Sequence, residues 1–243
     1  TPIADGTVTV EIPADIAMDN EEQGNISSTP FTIIYDRVRP IPTISTTESG
    51  ATNKNSIPFQ ISFNEKVVRF ISSDMGLQNS VVKNFSGSDS LFSFELEPKD
   101  EGVVSITLEE KKAYDLAGND NVSADTVAII FDETVPYAGF VKDGVGEDID
   151  FQNSNSTITA NWEGFFDLLS GIKRYEWAIG KASGTTEVQD WTSTSDQSKA
   201  VNASLELEEE KYFVSLRAID FAGNYSDIST SDGVTIDTTS PAK

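Results

Sequence analysis

Short apolar or alternating runs, separated by turn residues, dominate the chain. In Val103–Leu108 the alternate residues Val104, Ile106 and Leu108 are apolar, and this period of two predicts a strand with one face in a core. Similar runs recur, and no long stretch holds a helical period, so the chain is predicted to be all-β. The runs are Thr7–Ile12, Phe31–Tyr35, Pro58–Phe63, Leu91–Leu96, Val103–Leu108 and Val127–Phe131.

One polar spacing occurs three times: an aspartate, a second aspartate 17 residues on, and a proline four residues further. The first two copies align without a gap at an offset of 96 residues. This period is too long for a solenoid repeat and suits a whole sandwich domain, so the chain is predicted to be a tandem array of β-sandwiches. The sets are Asp19, Asp36 and Pro40; Asp115, Asp132 and Pro136; and Asp220, Asp237 and Pro241.

The repeat predicts three segments: residues 1–39, the C-terminal part of one copy; residues 40–136, a complete domain; and residues 137–243, a last domain. The joints between these segments are short and contain proline, which restricts how far neighbouring domains can swing and favours a semi-rigid rod. Residues 1–39 would supply three strands of an incomplete sandwich, with exposed edges and one apolar face. Two explanations stay open: the domain is cut there, or a neighbouring chain donates the missing strands.

The charge balance restricts the partners. Lys and Arg number 17 against 40 Asp and Glu, and the net charge of −23 excludes nucleic acid and anionic membrane. The absence of Cys and His removes disulfides, thiolate nucleophiles, most zinc sites and the usual general base. High acidity with many Asn, Ser and Thr favours an extracellular location, secreted or at the cell surface. No apolar run has membrane length, so no direct insertion is expected, and the chain is expected to be a stretch of a longer one.

Four motifs of the middle segment, in this order, resemble the bacterial Ig-like repeats of large surface and adhesin proteins. The resemblance covers residues 40–136 and, in part, 1–39. The first copy departs from it, because Asn20–Gln23 replaces the Leu-Ala-Gly-Asn turn. The resemblance implies Ig-like sandwiches used as spacers or binding modules, and it specifies no ligand. The motifs are Phe63–Val67, Asn84–Gly87, Gly102–Val104 and Asp115–Asn119.

The last segment resembles fibronectin type III modules. Trp162 lies in an early predicted strand, Tyr175–Ala178 follows Ser170–Ile172, and a leucine shortly precedes Tyr212. The resemblance implies a sandwich in which the tryptophan is core and the tyrosine hydroxyl closes a corner onto nearby backbone. Taken together, the two resemblances predict tandem Ig-like and fibronectin type III-like β-sandwiches in a rod.

The Asp-x-Ala-Gly-Asn turns at Asp115 and Asp220 have two explanations. In the structural one, Asp caps the turn and Gly supplies positive φ. In the functional one, the turn aspartate, the strand-end aspartate and a neighbouring loop converge at one domain end and bind calcium, a hard cation that prefers several oxygens. A hairpin brings both aspartates together if its strands are equal in length. Calcium is the only cofactor predicted, and its candidate ligands are Asp19, Asp36, Asp115, Asp132, Asp220 and Asp237.

Six Asn-x-Ser/Thr sequons are candidate N-glycosylation sites if the source is eukaryotic. The alternative is that Asn and Ser are simply common in β-turns. The sequons begin at Asn25, Asn84, Asn121, Asn155, Asn202 and Asn224.

Aromatic and acidic side chains raise two further possibilities. Trp162 and Trp177 are expected in the core, which leaves Trp191 as the candidate for stacking on sugars. Glu163 and Asp167 are an acid pair of the kind that cleaves glycosides, but 40 acids produce such pairs by chance. No catalytic residue is therefore predicted, and the chain is not expected to be an enzyme.

The leading hypothesis is a non-catalytic spacer and adhesion segment of a large extracellular surface protein. One alternative is a structural subunit of an extracellular filament or sheath, completed by strands of a neighbouring chain. A second alternative is a carbohydrate-binding module of a larger enzyme. The expected partners are other domains of the same long chain, with neighbouring protein chains and glycans as further candidates.

Overall fold

The computed structural model describes residues 2–194 and 196–240, so the repeat's last proline, Pro241, lies outside the described residues. The described residues form strands and one 3-10 turn at Ser72–Asp74, which confirms the all-β prediction. None of them forms a helix long and apolar enough to cross a membrane. The strands are β1 (Gly6–Val10), β2 (Phe31–Tyr35), β3 (Pro42–Thr46), β4 (Ala51–Thr52), β5 (Ile57–Phe63), β6 (Met75–Gln78), β7 (Ser80–Ser88), β8 (Leu91–Pro98), β9 (Gly102–Leu108), β10 (Val127–Phe131), β11 (Phe140–Asp143), β12 (Phe151–Gln152), β13 (Ile158–Glu163), β14 (Ile172–Gly180), β15 (Gln189–Thr194), β16 (Lys199–Asn202), β17 (Lys211–Asp220), β18 (Ser229–Thr230) and β19 (Val234–Ile236).

The chain folds as two compact units. The first comprises residues 1–47, 57–97 and 105–127, and the second comprises residues 48–56, 98–104 and 128–243. The division into residues 1–39, 40–136 and 137–243 follows the sequence repeat and stays a prediction.

Strand β5 shows how the sequence pattern builds the first unit. Its side chains alternate between core and surface along the whole strand, with Ile57, Phe59, Ile61 and Phe63 inward. The strand lies in the antiparallel sheet β3-β5-β8-β7, where Phe59 faces Phe94 with ring centroids 6.0 Å apart. Each such side chain contributes roughly 1.5–3 kcal/mol by leaving water. The period of two therefore sets the face that is buried.

The strand β9 follows the predicted alternation with one difference. Val104, Ile106 and Leu108 are buried as expected. The period of two puts Ser105 on the opposite face, yet it is also buried, and its hydroxyl lies 3.3 Å from the side-chain oxygen of Gln78. Strand β6 pairs antiparallel with β9 in the first unit, and β10 pairs parallel with β4 in the second.

Among the described residues, strands β1 and β2 pair only with each other, from Gly6 opposite Tyr35 to Val10 opposite Phe31. The described part of residues 1–39 thus contains two strands, whereas three were predicted. Apolar side chains on this hairpin remain exposed, among them Phe31 at 66% and Ile34 at 70%. Exposed apolar positions are the property expected of an incomplete sandwich.

The second unit contains a sandwich of two sheets. One sheet has the order β11-β13-β16, and the other has β12-β19-β17-β14-β15 with β18 beside β17. Trp162 from the first sheet and Trp177 from the second lie in one hydrophobic core. Buried Tyr212 accepts the backbone N–H of Glu208 through its hydroxyl at 3.0 Å, so the corner implied by the fibronectin type III resemblance is present.

Candidate metal centres

The strand-end aspartates share one local geometry. Asp36 follows β2, Asp132 follows β10 and Asp237 follows β19. The Oδ1 atom of each accepts the backbone N–H two residues on, at 2.9, 3.0 and 2.9 Å respectively. This turn is the ordinary local structure of an aspartate at a strand end. By itself it indicates no ligand.

The turn aspartates also share one geometry. The Oδ1 atoms of Asp115 and Asp220 accept the backbone N–H groups three and four residues on, at 2.6 and 2.8 Å in both copies. The residue three positions on is a glycine with positive φ, +96° at Gly118 and +100° at Gly223. A residue without Cβ adopts this conformation without strain.

The first copy has a related turn although its sequence departs from the pattern. Asp19 Oδ1 accepts the N–H groups of Glu21 and Gln23 at 2.9 and 3.0 Å. Glu22 stands where the other copies have glycine and adopts φ of +61°. The turn is therefore set mainly by the aspartate.

Strand-end and turn aspartates meet in two carboxylate clusters, each with a third acid from a loop. The Asp36 cluster consists of Asp36, Glu65 and Asp115. The Asp132 cluster consists of Asp132, Asp167 and Asp220. In each cluster the three residues offer one carboxylate oxygen apiece, and these oxygens all lie within 4.8 Å of one another.

The observed pairing corrects the expectation that a hairpin brings together the two aspartates of one copy. A strand-end aspartate meets the turn aspartate of the following copy and not that of its own copy, so Asp36 joins Asp115 and Asp132 joins Asp220. Within the described residues, Asp19 and Asp237 belong to neither these clusters nor any other group of three acids. Four of the six candidate ligands are therefore brought together in pairs, and two are not.

The loop acids were missed as ligands in the sequence. Glu65 lies two residues beyond β5, and its Oε1 atom is buried without a hydrogen-bond partner. Asp167 lies in the loop after β13, and its Oδ1 accepts the N–H groups of Ser170 and Gly171 at 2.8 and 2.7 Å. The repeat does not reveal this pair, because Glu65 lies 29 residues after Asp36 whereas Asp167 lies 35 after Asp132.

An asparagine holds each cluster together. Asn119 Nδ2 donates to Oδ2 of Asp115 at 2.7 Å and to the backbone carbonyl of Asp36 at 3.0 Å. Asn224 makes the same two bonds in the other cluster, to Oδ2 of Asp220 at 2.8 Å and to the carbonyl of Asp132 at 2.9 Å. The repeated amide thus fixes the turn against the preceding strand end.

The electrostatics of the clusters favour a cation. Burial raises the pKa of Glu65, and the charges of Asp115 and Asp36 raise it further. Burial likewise raises the pKa of Asp132, and the charge of Asp167 adds to this against the hydrogen bond from Ser170. Across residues 2–194 and 196–240, no lysine or arginine forms an ion pair with a member of either cluster. A bound cation would offset this repulsion.

Asp115 differs from Glu65 and Asp132 in the direction of its pKa shift. Burial raises its pKa, but hydrogen bonds from Asn119 and from backbone N–H groups outweigh the burial, so the pKa is lowered overall. It therefore stays an ionised acceptor in the turn. An open cleft of about 470 Å³ is lined by Asp36, Glu65 and Asp115 and gives water and ions access to that cluster.

The donor set fits a hard cation. All the ligands are carboxylate oxygens, and calcium–oxygen distances of about 2.3–2.6 Å place opposite ligands roughly 5 Å apart. The carboxylate oxygens of each cluster lie within 4.8 Å of one another, close enough for one ion to contact all three. Zinc and other metals that prefer nitrogen or sulfur have no such ligands in a chain without His or Cys.

The sequons separate into structural and exposed asparagines. Asn121 and Asn224 are buried, and their amide nitrogens donate to backbone carbonyls, which argues against glycan attachment in the folded protein. Asn25 uses its amide in the same way as Asn121, to the carbonyls of Pro13 and Ile26. Asn84 and Asn155 are exposed and Asn202 is half-buried. The amide nitrogens of Asn84 and Asn202 donate to side chains, of Glu95 and Gln189, and glycosylation at these three sequons stays a prediction.

Two of the three tryptophans are unavailable for stacking on sugars. Trp162 and Trp177 are core residues, each 4% exposed. The guanidinium carbon of Arg217 lies 4.4 Å from the ring centre of Trp191 and 4.6 Å from that of Tyr225. One face of Trp191 is thus covered by the protein's own cation.

The acids considered for glycoside cleavage also have other partners. Glu163 forms an ion pair with Lys142 at 2.7 Å, whereas Asp167 belongs to the Asp132 cluster. Neither is therefore held as one of a facing pair of catalytic acids.

Comparison with known proteins gives a family for part of the chain. Residues 36–131 match the family model described as a bacterial Ig-like domain. This confirms the resemblance found for residues 40–136, and the matched range contains the whole Asp36 cluster. A search of curated proteins finds no match.

Solved structures support the fold. Titin domains A168-A170 align with a TM-score of 0.50 at 16% identity over 95% of this chain and 74% of that one. Chicken CNTN1 FN1-FN3 domains give 0.39 at 14% identity over 90% of this chain and 75% of theirs. The fibronectin(III)-like modules of Clostridium thermocellum CbhA give 0.38 at 13% identity over 79% of this chain and 93% of theirs. The titin alignment shows a shared fold alone, and the two lower scores add nothing to it.

Proposed function

We propose that this chain is a non-catalytic spacer and adhesion segment of a large extracellular surface protein. The bacterial Ig-like match over residues 36–131 and the all-β architecture support this role. The composition agrees with it, because a chain without His and Cys lacks the usual general base and the thiolate nucleophile. Its partners would be other domains of the same chain, together with neighbouring chains or glycans.

We further propose that the Asp36 and Asp132 clusters bind calcium. One observation carries this: the same set of a strand-end acid, a turn acid and a loop acid is built twice, from loops of different length. Capping of the turn accounts for the presence of Asp115 and of Asp220, each taken alone. It does not explain why a third carboxylate lies beside each pair, when no lysine or arginine in the described part of the chain forms an ion pair with any of them.

Calcium in the Asp132 cluster would tie two stretches of chain. Asp132 precedes Pro136, whereas Asp167 and Asp220 follow it. An ion shared by the three would add to the bond that Asn224 already makes to the carbonyl of Asp132. The expected consequence is a segment that is stiffer and more stable in calcium than without it.

Thermal unfolding in millimolar calcium and in chelator tests this proposal. An ion at 100 times its dissociation constant stabilises the protein by about 2.7 kcal/mol per site. For a chain of this length that corresponds to a rise in Tm of about 5–10 °C. Asp132→Asn should lose part of the rise, because it removes a ligand charge while keeping an acceptor for the turn.

Asp237→Asn is the matched control, because Asp237 makes the same turn and has no cluster. It should keep the full calcium response. If parent and both variants respond equally, the Asp132 cluster does not bind calcium. If none responds, the repeated aspartates serve only as turn and linker residues.

The exposed β1–β2 hairpin favours a second candidate, a filament or sheath subunit completed by a neighbouring chain. Phe31, Ile33 and Ile34 are 55–70% exposed on a sheet of only two strands. Donated strands would cover them. Light scattering distinguishes the two functions, since a mass that does not change with concentration argues against the filament.

A further inference from the structure

We infer a third cation site, independent of the repeated clusters, formed by Asp143, Asp148 and Asp232 and suited to calcium. None of these residues belongs to the repeated aspartate spacing. Asp143 ends β11, Asp148 lies in the following loop, and Asp232 lies between β18 and β19. Each offers one carboxylate oxygen, and these oxygens lie within 4.8 Å of one another. We call this group the Asp143 cluster.

Asp143 has an unsatisfied buried oxygen. The residue is 0% exposed, and its Oδ2 accepts the N–H of Gly233 at 2.9 Å. Its Oδ1 is buried without a hydrogen-bond partner. A buried carboxylate oxygen without a partner is costly and rare, and a metal ion is one ligand that satisfies it. This oxygen is the observation that separates the Asp143 cluster from an ordinary acidic surface.

In the described part of the chain, no lysine or arginine forms an ion pair with any of the three carboxylates. Lys142 is close enough for the charge of Asp148 to help raise its pKa, but its ion pair is with Glu163. Burial raises the pKa of Asp143 to about 6; hydrogen bonds from Ser231 and Gly233 oppose this, and the charges of Asp148 and Asp232 add to it. A cation would reverse this balance by favouring the ionised form.

The loop that carries Asp148 is held by contacts outside the cluster. Asn161 Nδ2 donates to the carbonyls of Gly144 and Gly146 at 3.0 and 3.1 Å. Gly144 adopts φ of +90°, and a Cβ there would lie 2.9 Å from the carbonyl oxygen of Glu147. Asp148 Oδ1 also accepts the N–H of Asp143 at 2.9 Å. Calcium binding would therefore require little further ordering of this loop.

Three converging carboxylates favour calcium over magnesium, because magnesium usually keeps several waters and binds through only one or two carboxylates. Asp148 and Asp232 are exposed, so water can complete a shell of six to eight oxygens on that side. The site would join β11, in one sheet of the sandwich, to the turn that enters β19 in the other sheet. Bound calcium would therefore fasten the two sheets at one end.

Calcium binding measured by equilibrium dialysis of the whole chain tests the inference, with Asp232→Asn as the first variant. Asp232 is exposed, so its replacement should not disturb folding. Asp232→Asn should bind one calcium fewer than the parent. Glu147→Gln, which removes the same charge from the neighbouring loop, should bind as many as the parent.

Asp143→Asn supplies a second readout. Asparagine keeps an acceptor for Gly233 and removes the unpaired charge, so the Tm in chelator should stay equal or rise. The rise in Tm on adding calcium should shrink. Full calcium binding by Asp232→Asn, or a full rise in Asp143→Asn, would overturn the inference.

Failure of this site and failure of the repeated clusters are distinguishable. Asp132→Asn reports on the Asp132 cluster and leaves the Asp143 cluster intact, whereas Asp232→Asn does the reverse. Loss of one equivalent in Asp232→Asn alone would uphold the third site while contradicting calcium in the Asp132 cluster.

Discussion

Asn121 offers a test of how burial sets the strength of a repeated interaction. It is 0% exposed and makes four hydrogen bonds to backbone. Its Oδ1 accepts the N–H groups of Lys112 and Ala113 at 2.8 Å each, and its Nδ2 donates to the carbonyls of Glu109 and Val122 at 2.9 and 2.6 Å. Asn121→Ala removes all four bonds at once.

The magnitude follows from the exposure of the partners. The bond to Ala113 is fully buried, and the other three are partly buried. Leaving one buried group unpaired costs about 1–3 kcal/mol, and a hydrogen bond that water replaces costs about 0.5–1.5 kcal/mol. With partial relaxation of the loop, Asn121→Ala should lower the free energy of unfolding by about 3–5 kcal/mol.

Two variants calibrate this figure. Asn25→Ala removes the same four bonds from the first copy, where all are exposed, and should cost about 1 kcal/mol. Asn121→Ser introduces the residue that the third copy uses, since Ser226 bonds the N–H of Ala218 at 2.9 Å and the carbonyl of Asp227 at 2.8 Å. It should cost less than Asn121→Ala, because two of the four groups keep a partner.

Urea unfolding followed by far-UV circular dichroism measures these losses, because no tryptophan lies within residues 40–136. With a slope of about 2–3 kcal/mol per molar urea, Asn121→Ala should lower the midpoint by roughly 1–2 M. Equal losses in Asn121→Ala and Asn121→Ser would refute the reasoning. The four bonds would then contribute little beyond the volume of the side chain.

Three further predictions concern the second unit and the sequons. Tyr212→Phe removes the acceptor of the Glu208 N–H and should lower stability by about 1–2 kcal/mol, measured by thermal unfolding. Burial raises the pKa of Glu176, but hydrogen bonds from Arg217 and Arg174 outweigh the burial, so the pKa is lowered overall. The stability that these bonds contribute is present above pH 4.5 and is lost as the pH falls below it. Glu176→Gln should flatten that acid limb of a stability profile against pH, and an unchanged limb would contradict the assignment. Mass spectrometry after secretion from eukaryotic cells should find glycan at exposed sequons such as Asn84 and Asn155, and none at Asn121 or Asn224.

The strands could be predicted from sequence because their signal is local. The alternation in β5 and β9 shows which face is buried, and the run Phe31–Tyr35 has the same bounds as β2. The aspartate repeat gave the turns for the same reason, since each aspartate bonds backbone within four residues.

The clusters needed information that sequence spacing does not contain. Glu65 and Asp167 reach equivalent places from loops of different length, so no fixed offset aligns them. Asp143 meets Asp232 because β11 and the turn before β19 lie at the same end of the sandwich. Such contacts depend on how sheets pack and not on local pattern.

The most direct test of calcium binding is the number of ions bound by the whole chain, measured by equilibrium dialysis against radioactive calcium with magnesium in excess. Three ions are expected, one each for the Asp36, Asp132 and Asp143 clusters. Asp132→Asn and Asp232→Asn should each lose one ion, and Asp237→Asn should lose none. A parent chain that binds no calcium at millimolar concentration would contradict the account.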